Sequence, residues 1–455
     1  MWFDADAPRG SVESNEVSGL CPPPAALSSL QTTDAGSEET TMEQPHEPEA
    51  AEREGVERPD ARAPLSADAL PASGAWRPGD PVGRRRFVSV ADDRPFALEG
   101  GGVLRSIRVA FETWGQLDAT ASNAVLVCHA LTGDSHAAGP SGAGHPTAGW
   151  WDDLIGPGRA LDTDRYFVVC ANVLGGCQGT TGPASDDPAT GRPYGSTFPI
   201  ITIRDIVRTQ AAVADHLGVA RWLSVIGGSM GGMQVLEWGV MFPDRVRSLV
   251  AIASTAAATA QQIAWSSIGR STIALDPKWR GGDYYDAGPG DGPHQGLAVA
   301  RELAQVTYRT EAVFDQRFGR TVLDQTDDRF TLWQRFDVEG YLDYHGAKLV
   351  RRFDANSYLV INRAMDLHDL GRGRGGIASA LRRVRVPCLV ASIDTDGLYP
   401  PRLQQDLRDD LAAQGTPCQY VVIESPDGHD GFLTEGPQVG APITSFLADV
   451  EKSHA

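Results

Sequence analysis

A serine enclosed by glycines, in the G-x-S-x-G segment at residues 227–231, has the clearest chemical potential in this sequence. Residues 222–226 are apolar and β-branched as in a buried strand, and residues 232–238 have the apolar spacing of a helix. A strand that enters a helix through G-x-S-x-G describes a nucleophile elbow, because the tight turn exposes the serine hydroxyl above the sheet. Amides at the helix start then face any negative charge that develops nearby. We therefore interpret Ser229 as a nucleophile rather than an incidental serine in a glycine turn.

Such a serine needs a base and an acid, which follow it along the chain in this strand–turn–helix arrangement. Residues 387–393 and 419–424 each have the composition of a buried strand. Asp394 and Asp396 follow the first, and a Gly-His loop with His429 follows the second. His429 would take the serine proton, and an aspartate would fix the imidazole tautomer and stabilise its cation. Both aspartates follow the carboxyl end of a strand, where catalytic groups collect, so the residues alone leave that choice open.

Length and composition indicate a globular protein that binds neither nucleic acid nor membranes. The chain has 455 residues, of which 41% are hydrophobic, and no apolar run approaches the ~18 residues that a membrane span needs. A net charge of −19 opposes contact with nucleic acid or an anionic membrane surface. The six cysteines include no C-x-x-C pair and no histidine partner at metal spacing. We therefore predict free thiols in a reducing cytoplasm and no metal site.

The first 75 residues differ from the rest of the chain. They contain about 11 more acidic than basic residues and are rich in Pro, Ala, Ser and Glu. Such a segment cannot bury enough apolar area to offset its ordering entropy, so we predict a disordered acidic extension over residues 1–75. It has the features of neither a secretory signal nor a transit peptide. Alternatively, Met42 is the true start of the protein.

The remaining sequence predicts an α/β core that is interrupted once. Strand candidates lie at residues 124–128, 166–171, 223–226, 249–253, 388–393 and 420–423. Helical stretches separate several of them, which favours a mostly parallel sheet built from residues 76–256 and 371–455. Between residues 257 and 370 this alternation stops and amphipathic stretches take over. We predict that this segment is a helical insertion that forms a lid over Ser229.

Several longer motifs are more specific than the elbow alone. They are H-A-L-T-G-D-S-H at 129–136, G-W-W at 149–151, N-V-L-G-G-C-Q-G-T-T-G-P at 172–183, L-D-P at 275–277, G-G-D-Y at 281–284 and G-H-D at 428–430. Over about residues 87–448 the chain resembles the homoserine O-acyltransferases of methionine biosynthesis, chiefly the homoserine O-acetyltransferases. The resemblance implies an α/β-hydrolase fold with a helical lid, usually a homodimer through that lid. It also implies acyl transfer from acetyl-CoA, a co-substrate, to L-homoserine without a cofactor.

The resemblance also implies roles for individual residues. Ser229 matches the nucleophile and His429 the base of these enzymes. The acid matches Asp396, because the D-G-L-Y-P that starts there fits the family pattern up to a proline one place early. Leu131 and Met230 match the two residues whose backbone N–H groups would form the oxyanion hole. Ser229 would thus carry the acyl group between the two substrates.

Three further residues match the homoserine-binding set of this family. They are Arg301 and Tyr308 in the lid, whose spacing of seven places them on one helix face, and Asp430 beside the histidine. The arginine can pair bidentately with an amino-acid carboxylate, and Asp430 can hold the ammonium group. The competing functions are a plain serine esterase, a homoserine or serine O-succinyltransferase of the same family, and a scaffold without catalysis. The G-G-C-Q-G-T-T sequence favours the acetyl and homoserine branch.

Overall fold

The computed structural model describes residues 70–91, 94–323 and 331–453. Most of the predicted acidic extension lies outside these ranges. Its last residues, 70–75, differ from the prediction because they pack against the protein: Ala72, Ser73 and Ala75 are buried. Small side chains let this segment lie close to the lid, where the Gly74 N–H donates to the Phe353 carbonyl at 3.2 Å. The packed part of the chain therefore starts earlier than the predicted boundary at residue 75.

Eight strands form one mostly parallel sheet, as predicted. The strands are β1 Arg86–Val90, β2 Ile107–Trp114, β3 Ala124–Cys128, β4 Phe167–Ala171, β5 Ser224–Gly228, β6 Leu249–Ile252, β7 Cys388–Ile393 and β8 Cys418–Ile423. Their order is β1-β2-β4-β3-β5-β6-β7-β8. All neighbours from β4 to β8 pair in parallel, whereas β2 runs antiparallel to both β1 and β4. The elbow strand β5 therefore lies in the middle of the sheet.

The six predicted strands are all present, with ends that differ by up to two residues, but β1 and β2 were not predicted. Central parallel strands are buried on both faces and read as continuous apolar runs. Charged residues such as Arg86, Arg108 and Glu112 interrupt that signature in β1 and β2. These two strands lie at the antiparallel side of the sheet, where the continuous apolar pattern is not required.

Eleven α-helices lie within the described ranges. They are α1 Ile203–Leu217, α2 Met230–Met241, α3 Ala260–Leu275, α4 His294–Tyr308, α5 Glu311–Arg317, α6 Asp337–Val350, α7 Ala355–Asp366, α8 Ile377–Leu381, α9 Pro401–Ala413, α10 Gly431–Thr434 and α11 Gly436–Lys452. Helices α3 to α7 fall within the predicted insertion, in which α4 packs against both α3 and α6. None of the helices described is both long and apolar enough to cross a membrane.

Both faces of the sheet are covered by apolar side chains. Successive residues of β3 alternate between them: Leu126 and Cys128 belong to one buried cluster, and Val125 and Val127 to the other. The cysteines that the structure describes are unpaired, and all but Cys418 are buried. Burial raises the pKa of the Cys128 thiol, which keeps it protonated as an apolar side chain.

A buried carboxylate joins the N-terminal segment to the lid. Asp354, the N-cap of α7, accepts hydrogen bonds from the hydroxyls of Ser73 at 2.7 Å, Tyr284 at 2.6 Å and Tyr285 at 3.0 Å. It also accepts one from the Ser357 backbone N–H at 2.8 Å. The side chain is fully buried. Four donors therefore depend on this one acceptor group.

Asp354→Ala should lower the free energy of unfolding by about 3–5 kcal/mol, because it leaves several buried donors without an acceptor. Ser73→Ala removes a single hydrogen bond and should cost about 1 kcal/mol. Urea denaturation followed by tryptophan fluorescence measures both values. Equal losses in the two variants would contradict the central position of Asp354.

Candidate active site

The turn at Ser229 brings the backbone of three elements close together. Ser229 lies between β5 and α2 with φ 57° and ψ −124°, a backbone conformation that residues other than glycine rarely adopt. A Cβ atom at Gly231 would lie 2.1 Å from the Cys128 carbonyl oxygen, so no larger residue fits there. The Ser229 N–H donates to the Ile252 carbonyl of β6 at 2.9 Å, which fixes the turn to the sheet. The segment thus has the predicted elbow geometry.

Ser229, His429 and Asp396 form a hydrogen-bonded triad. His429 Nε2 lies 2.8 Å from Ser229 Oγ, and His429 Nδ1 lies 2.7 Å from Asp396 Oδ2. A carboxylate only accepts, so Nδ1–H donates to Asp396 and Nε2 is left to accept from the serine hydroxyl. All three side chains are buried, with exposed fractions of 5% or less. The arrangement can transfer a proton from Ser229 to His429.

The structure brings Asp396 to His429 and places Asp394 elsewhere. Asp394 is exposed, and its carboxylate accepts a hydrogen bond from the Ser425 N–H at 2.9 Å. The second oxygen of Asp396 accepts from the backbone N–H groups of Leu398 at 2.9 Å and Tyr399 at 2.7 Å. The loop after β7 thereby holds the Asp396 carboxylate in a fixed orientation toward the imidazole.

Opposing effects act on the proton affinity of His429. Burial lowers its pKa, but the Asp396 carboxylate, with a smaller contribution from Asp430, outweighs this, so the pKa lies above its ordinary value. Aromatic rings surround the imidazole: Tyr399 stacks on it with a centroid distance of 4.9 Å, Phe432 lies at 5.5 Å and Tyr308 at 5.7 Å. These rings limit the access of water to the base.

Of the residues predicted to form the oxyanion hole, Met230 directly follows Ser229 and Leu131 lines the cavity beside the triad. Within the described chain, neither the Leu131 nor the Met230 backbone N–H donates to a protein acceptor. The Gln234 side chain donates to the carbonyls of His129 at 3.0 Å and Met230 at 3.1 Å, which joins the Leu131 loop to α2. His129 accepts from the Val173 N–H at 3.0 Å, and burial lowers its pKa, so it is a neutral brace for this loop.

The structure gathers the three predicted homoserine-binding residues beside the triad. Arg301 Cζ lies 5.5 Å from the centroid of the Tyr308 ring, which in turn contacts His429. Arg301 has no carboxylate partner at ion-pair distance in the ranges described. Asp430 is partnered, because Arg309 Nε lies 3.2 Å from its Oδ2.

Sequence reasoning identified Tyr308 but not Arg309, Tyr399 or Phe432 as residues of the site. Arg309 also lies 2.7 Å from Asp427, so it joins the end of α4 to the histidine loop. The sequence feature that could have identified Arg309 is its position directly after Tyr308. Phe432, three residues beyond His429, and Tyr399, within the D-G-L-Y-P motif, were similarly close to predicted residues. Their contacts with the imidazole depend on the fold.

A cavity lies between the lid and the core next to the triad. Helices α3, α4 and α7 line it together with Leu131, Leu398 and Tyr399, around a space of about 450 Å³ that includes its opening to solvent. All of the lining side chains are uncharged. The cavity therefore suits a neutral chain or acyl group better than a charged one.

A second cluster of potential ligands lies apart from this cavity. Glu112, His136 and His145 are buried, with donor atoms within 4.8 Å of one another. Their lone pairs are largely in use: His136 Nδ1 lies 2.9 Å from Glu112, and His145 Nε2 accepts from the Arg84 N–H at 2.9 Å. These bonds fasten β2 to the loop that follows the H-A-L-T-G motif, which is a structural role. The expected lack of a metal site remains a prediction.

Comparisons with known proteins agree with this architecture. The alpha/beta hydrolase fold family matches residues 123–436. The chain is 55% identical over 379 residues to the homoserine O-acetyltransferase of Thermobifida fusca, which covers 83% of this chain and 98% of that protein. It is 51% identical to the homoserine O-acetyltransferase of Clavibacter michiganensis, over 83% of this chain and 96% of the relative.

Solved structures include both transferases and esterases. The crystal structure of homoserine O-acetyltransferase from Bacillus anthracis matches with a TM-score of 0.73 and 28% identity, over 80% of this chain and 97% of that one. The structure of esterase E22 matches with the same TM-score of 0.73 and 30% identity, over 80% and 99% of the two chains. Because the sequence relatives share about half of their residues over most of the chain, the predicted resemblance is confirmed. This chain belongs to the homoserine O-acetyltransferases of the α/β-hydrolase fold.

Proposed function

We propose that this protein transfers the acetyl group of acetyl-CoA to the hydroxyl of L-homoserine, giving O-acetyl-L-homoserine for methionine biosynthesis. The single observation that carries the proposal is the buried Ser229–His429–Asp396 triad with Arg301, Tyr308 and Asp430 assembled beside it. The triad supplies acyl transfer, and the charged residues supply recognition of an amino acid. Acetyl-CoA is a co-substrate, and no cofactor is needed. The unpaired thiols support a cytoplasmic location.

In the first half of the reaction, Ser229 attacks the thioester carbonyl of acetyl-CoA. His429 takes the serine proton, and Asp396 stabilises the resulting imidazolium. The backbone N–H groups of Leu131 and Met230 hold the oxyanion, and one such donor typically contributes about 3 kcal/mol of barrier reduction. The imidazolium then protonates the departing thiolate. Coenzyme A leaves, and an acetyl-Ser229 ester remains, so the kinetics should be ping-pong.

In the second half, L-homoserine replaces coenzyme A. Arg301 pairs with its carboxylate and Asp430 with its ammonium group, next to the Tyr308 ring. His429 removes the proton of the homoserine hydroxyl, whose oxygen attacks the ester, and Ser229 recovers its proton as the product leaves. Transfer rather than hydrolysis requires that water stay out. The lid and the aromatic rings around His429 serve this purpose.

Two alternatives share the same triad. Esterase E22 has a similar fold, so hydrolysis of a simple ester would use the same serine and base. A homoserine or serine O-succinyltransferase would keep the machinery and change the acyl or acceptor pocket. The uncharged lining of the cavity beside the triad favours an acetyl over a succinyl group, because it offers no cationic partner for the free carboxylate of a succinyl group.

Incubation with acetyl-CoA alone should add one acetyl group to the protein at Ser229, detected by intact mass and peptide mapping. Homoserine should then discharge the adduct much faster than serine or water does, because Arg301 and Asp430 place its hydroxyl at the ester. Ser229→Ala serves as the control and should take up no acetyl group. A succinyl adduct from succinyl-CoA would move the assignment within the family. The absence of any adduct, with ready cleavage of a plain ester, would leave an esterase.

Asp396→Asn should lower kcat by about 10⁴, because the amide no longer selects the correct imidazole tautomer or stabilises its cation. Asp394→Asn is the matched control, since it neutralises an exposed carboxylate that follows the same strand. It should retain most of the activity. Steady-state kinetics with acetyl-CoA and homoserine measure both. A comparable loss in the two variants would contradict the assignment of the acid.

We also propose that two copies associate through the lid. Large apolar side chains are exposed on two adjoining lid helices: Trp265, Ile268 and Leu275 on α3, and Val299 and Val306 on α4, with exposed fractions of 36% to 81%. A patch of this kind on neighbouring helices marks a protein interface. A second copy of the chain is the occupant that we favour, because a two-fold axis lets the same helices cover each other.

Replacement of Ile268 and Val306 by Glu should convert a dimer to a monomer, because it places charges in the apolar contact. Light scattering coupled to size-exclusion chromatography measures the mass of both forms. Val422→Glu is the control: Val422 is 46% exposed but lies on β8, outside the lid. A monomeric wild type, or a double variant that stays dimeric, would overturn the proposal.

A further inference from the structure

Gln262 in the first turn of α3 contacts two different parts of the protein. Its side-chain oxygen accepts a hydrogen bond from the Thr259 N–H at 2.9 Å, as part of a capping box that starts the helix. Its side-chain amide donates to the Leu398 carbonyl at 3.0 Å, across 136 residues of sequence. Gln262 is only 6% exposed. The capping box uses only the side-chain oxygen of Gln262, as an acceptor. The side-chain NH2 group is therefore available to donate to a separate partner in the core.

The Leu398 carbonyl belongs to a peptide group that also contacts the triad. The N–H of this same peptide is that of Tyr399, which donates to Asp396 Oδ1 at 2.7 Å. The chain of contacts therefore runs from the Gln262 amide through one peptide plane to the Asp396 carboxylate. The other oxygen of the Asp396 carboxylate, Oδ2, accepts a hydrogen bond from His429 Nδ1–H at 2.7 Å. Hydrogen bonds in series polarise one another, so a donor on the carbonyl strengthens the N–H at the other end.

The Tyr399 side chain gives this peptide a second connection to the base. Its ring is buried, with 1% of its surface exposed, and stacks on the His429 imidazole at an interplanar angle of 21°. A rotation of the Leu398–Tyr399 peptide would therefore move both the N–H that orients Asp396 and the ring that covers His429. The Gln262 amide opposes such a rotation.

We propose that Gln262 is a positioning residue for the triad: through the Leu398–Tyr399 peptide, the first lid helix holds Asp396 and the ring of Tyr399 in place against His429. The lid then aligns the acid as well as covering the site. This inference rests on the proposed acyl-transfer function, since it concerns the same serine. It adds a residue that acts on the reacting atoms only through this peptide, and whose side chain also lines the cavity beside the triad.

The test compares Gln262→Met with Thr259→Ala, which weakens the same cap but keeps the Gln262 amide. Gln262→Met should slow the acylation of Ser229 about three- to tenfold, the scale of one hydrogen bond, with less than a twofold change in the KM for homoserine. A less firmly held Asp396 stabilises the His429 cation less, so the acid limb of the pH profile should move to lower pH. Asp430, the other charged group that acts on His429, is unchanged. Thr259→Ala should stay within twofold of wild type in rate.

Gln262→Glu separates the two contacts of this side chain. The carboxylate can still accept from the Thr259 N–H, but it cannot donate to Leu398. Its acylation rate should therefore stay low, and its thermal stability should fall below that of wild type, because the buried carboxylate then faces the Leu398 carbonyl oxygen. Wild-type rate and pH profile in Gln262→Met, or an equal loss in Thr259→Ala, would overturn the proposal.

Acylation by p-nitrophenyl acetate provides a readout that does not require acetyl-CoA or homoserine. Failure of the proposed function would appear as wild-type protein that reacts with this ester but acetylates no homoserine. The comparison among the Gln262 variants would still hold in that case, because the ester uses the same triad. Failure of the proposed function and failure of the inference about Gln262 are therefore distinguishable.

Discussion

The unusual backbone conformation of Ser229 sets the geometry to which the other groups of the site conform. A residue with φ 57° is strained unless the surroundings hold it, and here the surroundings are two strands and a helix. Gly231 can lie against the Cys128 carbonyl because it has no Cβ. The Ser229 N–H is bound to β6, and its carbonyl accepts from the Ser254 hydroxyl at 2.9 Å. The central sheet thus presents the hydroxyl, and every other group has to reach it there.

Burial of the triad strengthens its electrostatic interactions and also requires that its polar atoms have hydrogen-bond partners. In this buried site, the Asp396 carboxylate raises the pKa of His429 against the opposing effect of burial. Burial also means that each polar atom of Asp396 must have a partner, and the loop after β7 provides two N–H donors. Gln262 continues this chain of partners into the lid. Electrostatics and hydrogen bonding therefore connect two segments that are distant in sequence.

The similarity of this chain to both transferases and esterases has a chemical explanation. The residues that activate an acyl group are not the residues that would recognise its acceptor. An elbow and a triad can activate an acyl group whatever the acceptor, which agrees with the similar fold that this chain shares with esterase E22 and with the homoserine O-acetyltransferase of Bacillus anthracis. What differs must lie in the groups that surround the ester. In this chain, Arg301 and Asp430 lie next to the base, and Arg309 holds Asp430 through an ion pair. In the proposed function, recognition of the acceptor by these residues separates transfer from hydrolysis.

The amino-acid sequence was sufficient to predict the local features of this protein. Ser229 between glycines, the buried parallel strands and the helical insertion were all readable, because turn geometry and apolar periodicity act over a few residues. Asp394 and Asp396 were indistinguishable on the same grounds, since both follow one strand, and only the packed loop turns Asp396 toward His429. The pairing of Arg309 with Asp430, and of Gln262 with Leu398, was decided by tertiary structure alone. These partners lie more than a hundred residues apart, and no local preference specifies which side chains meet when the lid folds onto the sheet.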